Sequence, residues 1–130
     1  MVISQKDAVQ AYLAVKKLNE QDTSIKTAKK VFDLFTKLRK AWDFQVQEEL
    51  KLYERYPEID PVSHGIKFKS APEREKALEI INKFNADADE IGNVEFEIEF
   101  EPFTINSDNE TGIKLSGSDI SKLSAFISFE

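Results

Sequence analysis

The sequence predicts an α+β fold: an N-terminal helical hairpin with one long helix, a small antiparallel sheet and a short C-terminal helix. Three observations carry that expectation. From Asp22 to Tyr56, apolar residues recur in steps of three, four and seven, at Ile25, Ala28, Phe32, Phe35, Trp42, Val46, Tyr53 and Tyr56. That is the period of a helix face turned toward a partner. After Gly65 the pattern shifts from helical spacing to strict alternation, the period of a half-buried strand. Near the C-terminus a serine–aspartate capping signature precedes a short apolar run.

The first helix is expected to start at Ser4. In Ile3-Ser4-x-x-Asp7 the serine is placed as N-cap and the aspartate three residues on as its reciprocal partner. Ala8, Tyr12 and Val15 mark its inner face to about Glu20. The polar break at Asn19–Asp22 is short, so this helix should fold back antiparallel along the long one, with Phe32 and Phe35 as floor for Tyr12 and Val15. Val31, Leu34, Leu38 and Leu50 widen the stripe of the long helix, which spans roughly 50 Å at the standard rise. Pro57 ends it by forcing Tyr56 out of helical geometry.

Ile66-Lys67-Phe68-Lys69 alternates apolar and basic residues and reads as a strand. Ser70-Ala71-Pro72-Glu73 reads as the start of a helix whose inner face is Leu78, Ile81, Phe84 and Ala88, closed by Gly92-Asn93. Val94–Glu101 sets four apolar residues against Glu95, Glu97, Glu99 and Glu101, the plainest strand pattern in the chain. Lys67 and Lys69 are the expected cross-strand partners of two of these glutamates. Pro102 marks an edge or a bulge, after which Phe103 and Ile105 continue the apolar set in shifted parity. Leu115-Ser116-x-x-Asp119-Ile120 opens a last helix, expected to run through Phe126 and Ile127 to the terminus. Residues 1–130 read as one domain, with 1–57 the helical hairpin and 58–130 a small α+β portion packed on it. Phe32, Phe35, Trp42, Phe84, Phe96, Ile98 and Phe126 are the expected core.

Composition narrows the function classes. With no cysteine, disulfides, thiolate nucleophiles and thiolate metal sites are excluded, which suits a reduced, cytoplasmic setting. No run approaches a membrane span, and the residues after Met1 lack a signal-peptide pattern. A net charge of −6 argues against a general nucleic-acid binder. The charge is segregated, however. Lys26 to Lys40 carries six basic residues against Asp33, and Asp87 to Glu110 carries nine acidic residues and no basic one. Such blocks form solvated faces or neutralise each other across a fold.

The order of elements, with a Lys-Val-Phe-Asp-Leu-Phe-Thr-Lys-Leu core, a Tyr-Glu-Arg-Tyr helix end, a Val-Glu-Phe-Glu-Ile strand and a closing Leu-Ser-x-x-Asp-Ile-x-x-Leu-x-x-Phe-Ile, resembles a family of small uncharacterised proteins of tailed bacteriophages and prophages. The resemblance runs from about Ser24 to Glu130 and lies in pattern. It implies a phage accessory or assembly protein acting in the host cytoplasm, and it carries no activity and no site residues.

Catalytic motifs are absent: no Gly-rich phosphate loop, Walker motif or nucleophile elbow occurs. Asp87-x-Asp89-x-x-Gly92 begins like a calcium loop, but Ile91 and Ile98 stand where ligands are required. His64, the one histidine, reads as a solvated loop residue, and Asp108 with Glu110 as at most a weak cation site. An enzyme would have to assemble its site from residues such as Asp43, His64 and Glu95. The expectation is therefore a non-enzymatic binding or assembly protein without cofactor or metal. Its partner is a protein presenting basic charge to Glu95, Glu97, Glu99 and Glu101, or a second copy meeting Leu50, Leu52, Tyr53 and Tyr56 at the uncovered end of the long helix. The alternative is nucleic acid on the Lys26–Lys40 face.

Overall fold

In the computed structural model, residues 1–66 and 73–130 are described. The elements follow as β1 (Val2–Ser4), α1 (Gln5–Asn19), α2 (Ile25–Arg55), α3 (Arg74–Asn93), β2 (Glu95–Glu97), β3 (Phe103–Ile105), α4 (Gly117–Lys122) and β4 (Ile127–Phe129). The chain is mixed α+β and mostly helical, with α2 as its long helix. The strand expected at 66–69 lies, beyond Ile66, outside the described residues, as does Ser70; Ile66 itself bridges Ile59 antiparallel, and α3 has Glu73, not Ser70, at its N-cap, without a side-chain cap bond.

Ser4 caps α1 by accepting from the Asp7 N–H at 3.1 Å, and Ser24 caps α2 by accepting from the Thr27 N–H at 3.3 Å. The two helices run antiparallel, since Gln5 meets Ala41 while Tyr12, farther along α1, meets Phe35. Most of the burial belongs to the shorter one: seven of the 15 residues of α1 are buried, against five of the 31 of α2. α1 touches α2, α3, α4 and the β1–β2 pair, so it is the inner helix of the fold. Its small residues Ala8, Ala11 and Ala14 allow that crowding.

The contact face of α2 differs from the expected one. Val31, Leu34, Leu38 and Ala41 are its buried line, whereas Phe32 is 59 % exposed and Ile25 90 %. Two apolar lines run side by side on this helix, and α1 settles on the aliphatic one. Phe35 and Trp42, two turns apart on its flank, stack on either side of the Tyr12 ring at 5.4 Å each. Tyr12 thus rests on Phe35 and Trp42, not on Phe32.

The far end of α2 is covered as well. Leu52, Ile59 and Phe84 form a second core with Tyr53, Tyr56, Ile80 and Ile81 against it. The sequence expectation of an uncovered end omitted the 20-residue α3, which crosses there and ties on through Asp87, bound by Arg55 at 3.0 Å and by the Tyr56 hydroxyl at 2.7 Å. Leu78 faces solvent instead of the core, because Phe84 with Ile80 and Ile81 makes the contact.

The acidic stretch is not one long strand. Only Glu95–Glu97 is strand, paired antiparallel with Val2–Ser4 so that Phe96 faces Ile3. After Pro102 the chain joins a different sheet: β3 pairs in parallel with β4, Phe103 opposite Ile127. The parity shift at Pro102 is therefore a change of sheet and not a bulge. The expected C-terminal helix is correspondingly short. Ser116 and Asp119 form the reciprocal capping box, α4 ends at Lys122, and Ile127–Phe129 extends as β4. In the main core, Phe126, Leu123, Ile127, Ile105 and Ile98 pack with α1 and α2.

A candidate binding groove between α2 and the acidic segment

Side chains four, seven and eleven residues apart share one face of a helix, and Lys26, Lys30, Asp33 and Lys37 do so on α2. This face, with Lys29 beside it, forms one wall of an open groove of about 810 Å³. The opposite wall is the connection between β2 and β3, Glu99 to Phe103. The two charge blocks of the sequence therefore stand across a groove from each other.

Its floor is aromatic and fixed. Phe100 meets Phe103 edge-on at 6.0 Å, and on its other side it meets Phe126, a fully buried core residue, also at 6.0 Å. Lysine ammonium groups lie over both rings, Lys30 Nζ at 5.3 Å from Phe103 and Lys37 Nζ at 5.7 Å from Phe100. Lys37 also donates to the Glu99 carbonyl at 2.7 Å and pairs with Asp33 at 3.3 Å. Lys26, Lys29 and Lys30 are exposed and make no ion pair among the described residues.

One edge of β3 is unpaired among the described residues. Phe103 donates its N–H to the Phe126 carbonyl, and Ile105 accepts from the Glu130 N–H. Alternate residues of a strand direct their amides to opposite sides, so Thr104 turns its N–H and C=O away from β4. A smaller continuation of the groove, sharing Lys26, Lys30 and Phe103, runs along Thr104 toward Glu110.

Three of the carboxylates with lowered proton affinity, Glu110, Asp119 and Asp87, fasten helix ends, while the fourth, Glu79, is lowered by its hydrogen bond from Lys83 within α3. Glu110, 9 % exposed, accepts from the Ser24 hydroxyl at 2.6 Å, the Thr27 hydroxyl at 2.7 Å and the Ser24 N–H at 2.9 Å. These bonds, from Ser24 first and then Thr27, hold its carboxyl below the ordinary 4.5. A carboxylate there also complements the N-terminal dipole of α2. With both oxygens engaged, Glu110 is part of a helix cap and not of a cation site with Asp108. Burial raises Asp119, but hydrogen bonds from Lys17 and Ser116 outweigh it and leave the carboxyl lowered. Asp87 is lowered by the Tyr56 hydroxyl and then by Arg55.

The candidate residues from the sequence are dispersed. Glu95 and Glu97 lie exposed on β2, while Glu99 and Glu101 stand on the groove wall, so the four do not form one strand face. Leu52 is 3 % exposed, Tyr53 and Tyr56 pack on Phe84 at 5.5 and 5.9 Å, and only Leu50 of that group, 61 % exposed, faces solvent. Asp43, His64 and Glu95 lie on α2, in the following turn and on β2, with no hydrogen bond or ion pair joining them among the described residues. No group of three or more metal-ligating side chains occurs among the described residues, and no helix there is long and apolar enough to cross a membrane.

Two glutamines escaped the sequence analysis. Gln5, 1 % exposed, donates its amide to the Ala41 carbonyl at 2.6 Å and joins α1 to α2. The Gln21 amide pairs with the Lys114 backbone in both directions, at 2.7 and 2.5 Å. Neither residue carries a local signal, since its partner is 36 or 93 residues away. Comparison with protein-family models, curated proteins and solved structures finds no match.

Proposed function

We propose that this chain is a non-enzymatic protein-binding or assembly module, and that the groove between α2 and Glu99–Phe103 is its binding surface. The observation that carries the reading is the pair Phe100 and Phe103, anchored on the core yet open in a groove walled by Lys26, Lys29 and Lys30. Concave sites with an apolar floor and a few polar groups at the rim are where ligands and partner segments bind. The lowered carboxylates Asp87, Glu110 and Asp119 support the same reading, because these three are engaged in fastening elements together.

A partner presenting basic charge to the whole glutamate row would meet Glu95 and Glu97 on one surface and Glu99 and Glu101 on another. Those charges on β2 suit a different task, keeping a short edge strand from pairing with other chains. Glu99, Glu101 and Asp33 line the same groove as the lysines and would repel the phosphates of a nucleic acid, which favours a protein partner. The phage or prophage setting, and with it the host cytoplasm, rests on the sequence resemblance alone.

The test is affinity capture from the source cell with the native protein and with Lys26→Glu/Lys30→Glu. A protein retained by the first and lost by the second supports the reading. Equal retention places the binding surface elsewhere, and nucleic acid released by nuclease from the native complex would favour the alternative.

A further inference from the structure

The groove has a property that follows from its two walls. Lys26, Lys29 and Lys30 form a basic strip along α2, and Glu99 and Glu101 form an acidic strip facing it. All five side chains are exposed. A surface carrying two strips of opposite sign side by side is complementary to itself after a half-turn, because rotation lays each basic strip on the acidic strip of the other copy. We propose that a second copy of this chain occupies the groove in a two-fold dimer held by these reciprocal lysine–glutamate contacts. The proposal rests on the reading of the groove as a binding surface and names its occupant.

Apolar area is available to such a contact. Phe32 and Ile25 lie seven residues apart on α2, on the flank that carries Lys29, and are 59 % and 90 % exposed. Charge arrangement selects the occupant. A uniformly acidic or basic partner would satisfy one wall and be repelled by the other, whereas a copy of the chain satisfies both.

The experiment uses two charge-reversed variants, Lys26→Glu/Lys29→Glu/Lys30→Glu and Glu99→Lys/Glu101→Lys, with mass followed by light scattering. The native protein should dimerise with concentration at low salt and dissociate at about 1 M salt, where charges are screened beyond roughly 3 Å. Each variant alone should weaken dimerisation by at least about a hundredfold, since like charges then face each other. Mixed in equal amounts, the two should associate again. A native protein that stays monomeric at millimolar concentration and low salt overturns the proposal. So do variants that dimerise alone, or a mixture that stays monomeric while circular dichroism shows both folded. Should either charge-reversed variant fail to fold, Lys29→Gln and Glu101→Gln replace it, each expected to weaken the native dimer about tenfold. A monomeric native protein whose Lys26→Glu/Lys30→Glu form still loses a captured partner refutes the dimer and keeps the groove. A salt-sensitive dimer with unaltered capture refutes the groove as the site for other proteins.

Discussion

Glu110 accepts a 2.6 Å hydrogen bond from the Ser24 hydroxyl, a link across 86 residues that fastens the C-terminal region to the first turn of α2. Because its carboxyl is held below 4.5, the folded state favours the ionised form more than the unfolded chain does. The resulting stability is fully present above that value and is lost as pH falls through the lowered folded value. Urea melts between pH 7 and 3 should show Glu110→Gln less stable than native at neutral pH, with the difference closing toward pH 3. A difference that stays constant would mean the charge contributes nothing.

The packing line of α2 gives a second expectation. Leu34 and Leu38 face α1 while Phe32 faces out. Leu34→Ala should cost about 2–5 kcal/mol. Phe32→Ala in the monomer should stay within about 0.5 kcal/mol, the range of surface changes. Thermal melts at low protein concentration compare them, and a reversed order would restore the aromatic stripe as the buried one.

That stripe shows where sequence reading succeeds and where it fails. The helices, and the caps Ser4 and Ser116, were legible because each depends on residues within a few positions of itself. Which of two adjacent apolar lines on α2 is buried depends on α1, and no local pattern states it. The partner of β2 is likewise non-local: Val2–Ser4 pairs with it across more than 90 residues, and β4 completes a parallel pair with β3 that helix-like spacing at Ile120, Leu123 and Phe126 concealed. The charge blocks were visible in the sequence, but the groove between them arises only when Pro102 turns the chain from one sheet to the other beside α2.

At the far end of α2 two neighbouring leucines should behave oppositely. Leu52→Glu places a charge in the second core beside Ile59 and Phe84 and should prevent stable folding of that region. Leu50→Glu, on the exposed side, should change stability by less than about 0.5 kcal/mol. Circular dichroism melts of both decide, and a tolerated Leu52→Glu would contradict the α3 packing.

Gly112 lies against the α1–α2 connection, where an added Cβ would collide with the Asp22 carbonyl oxygen and press on the Asp22 side chain. Backbone cannot yield there as a flexible side chain could. Gly112→Ala should destabilise by about 1–3 kcal/mol, the cost of overpacking, read as a lowered melting temperature. Gly117→Ala, with open space around the same atom, serves as the control.

The central claim, that binding occurs in the groove, is tested most directly by site-specific photo-crosslinking in the source cell. A benzophenone side chain is placed at Thr104, on the edge of β3 away from β4, or at Leu50, on the exposed far end of α2. Crosslinked species should form from position 104 and vanish when Lys26→Glu/Lys30→Glu is added, while position 50 stays silent. Crosslinks from position 50 alone, or crosslinks from 104 indifferent to the lysines, would contradict it.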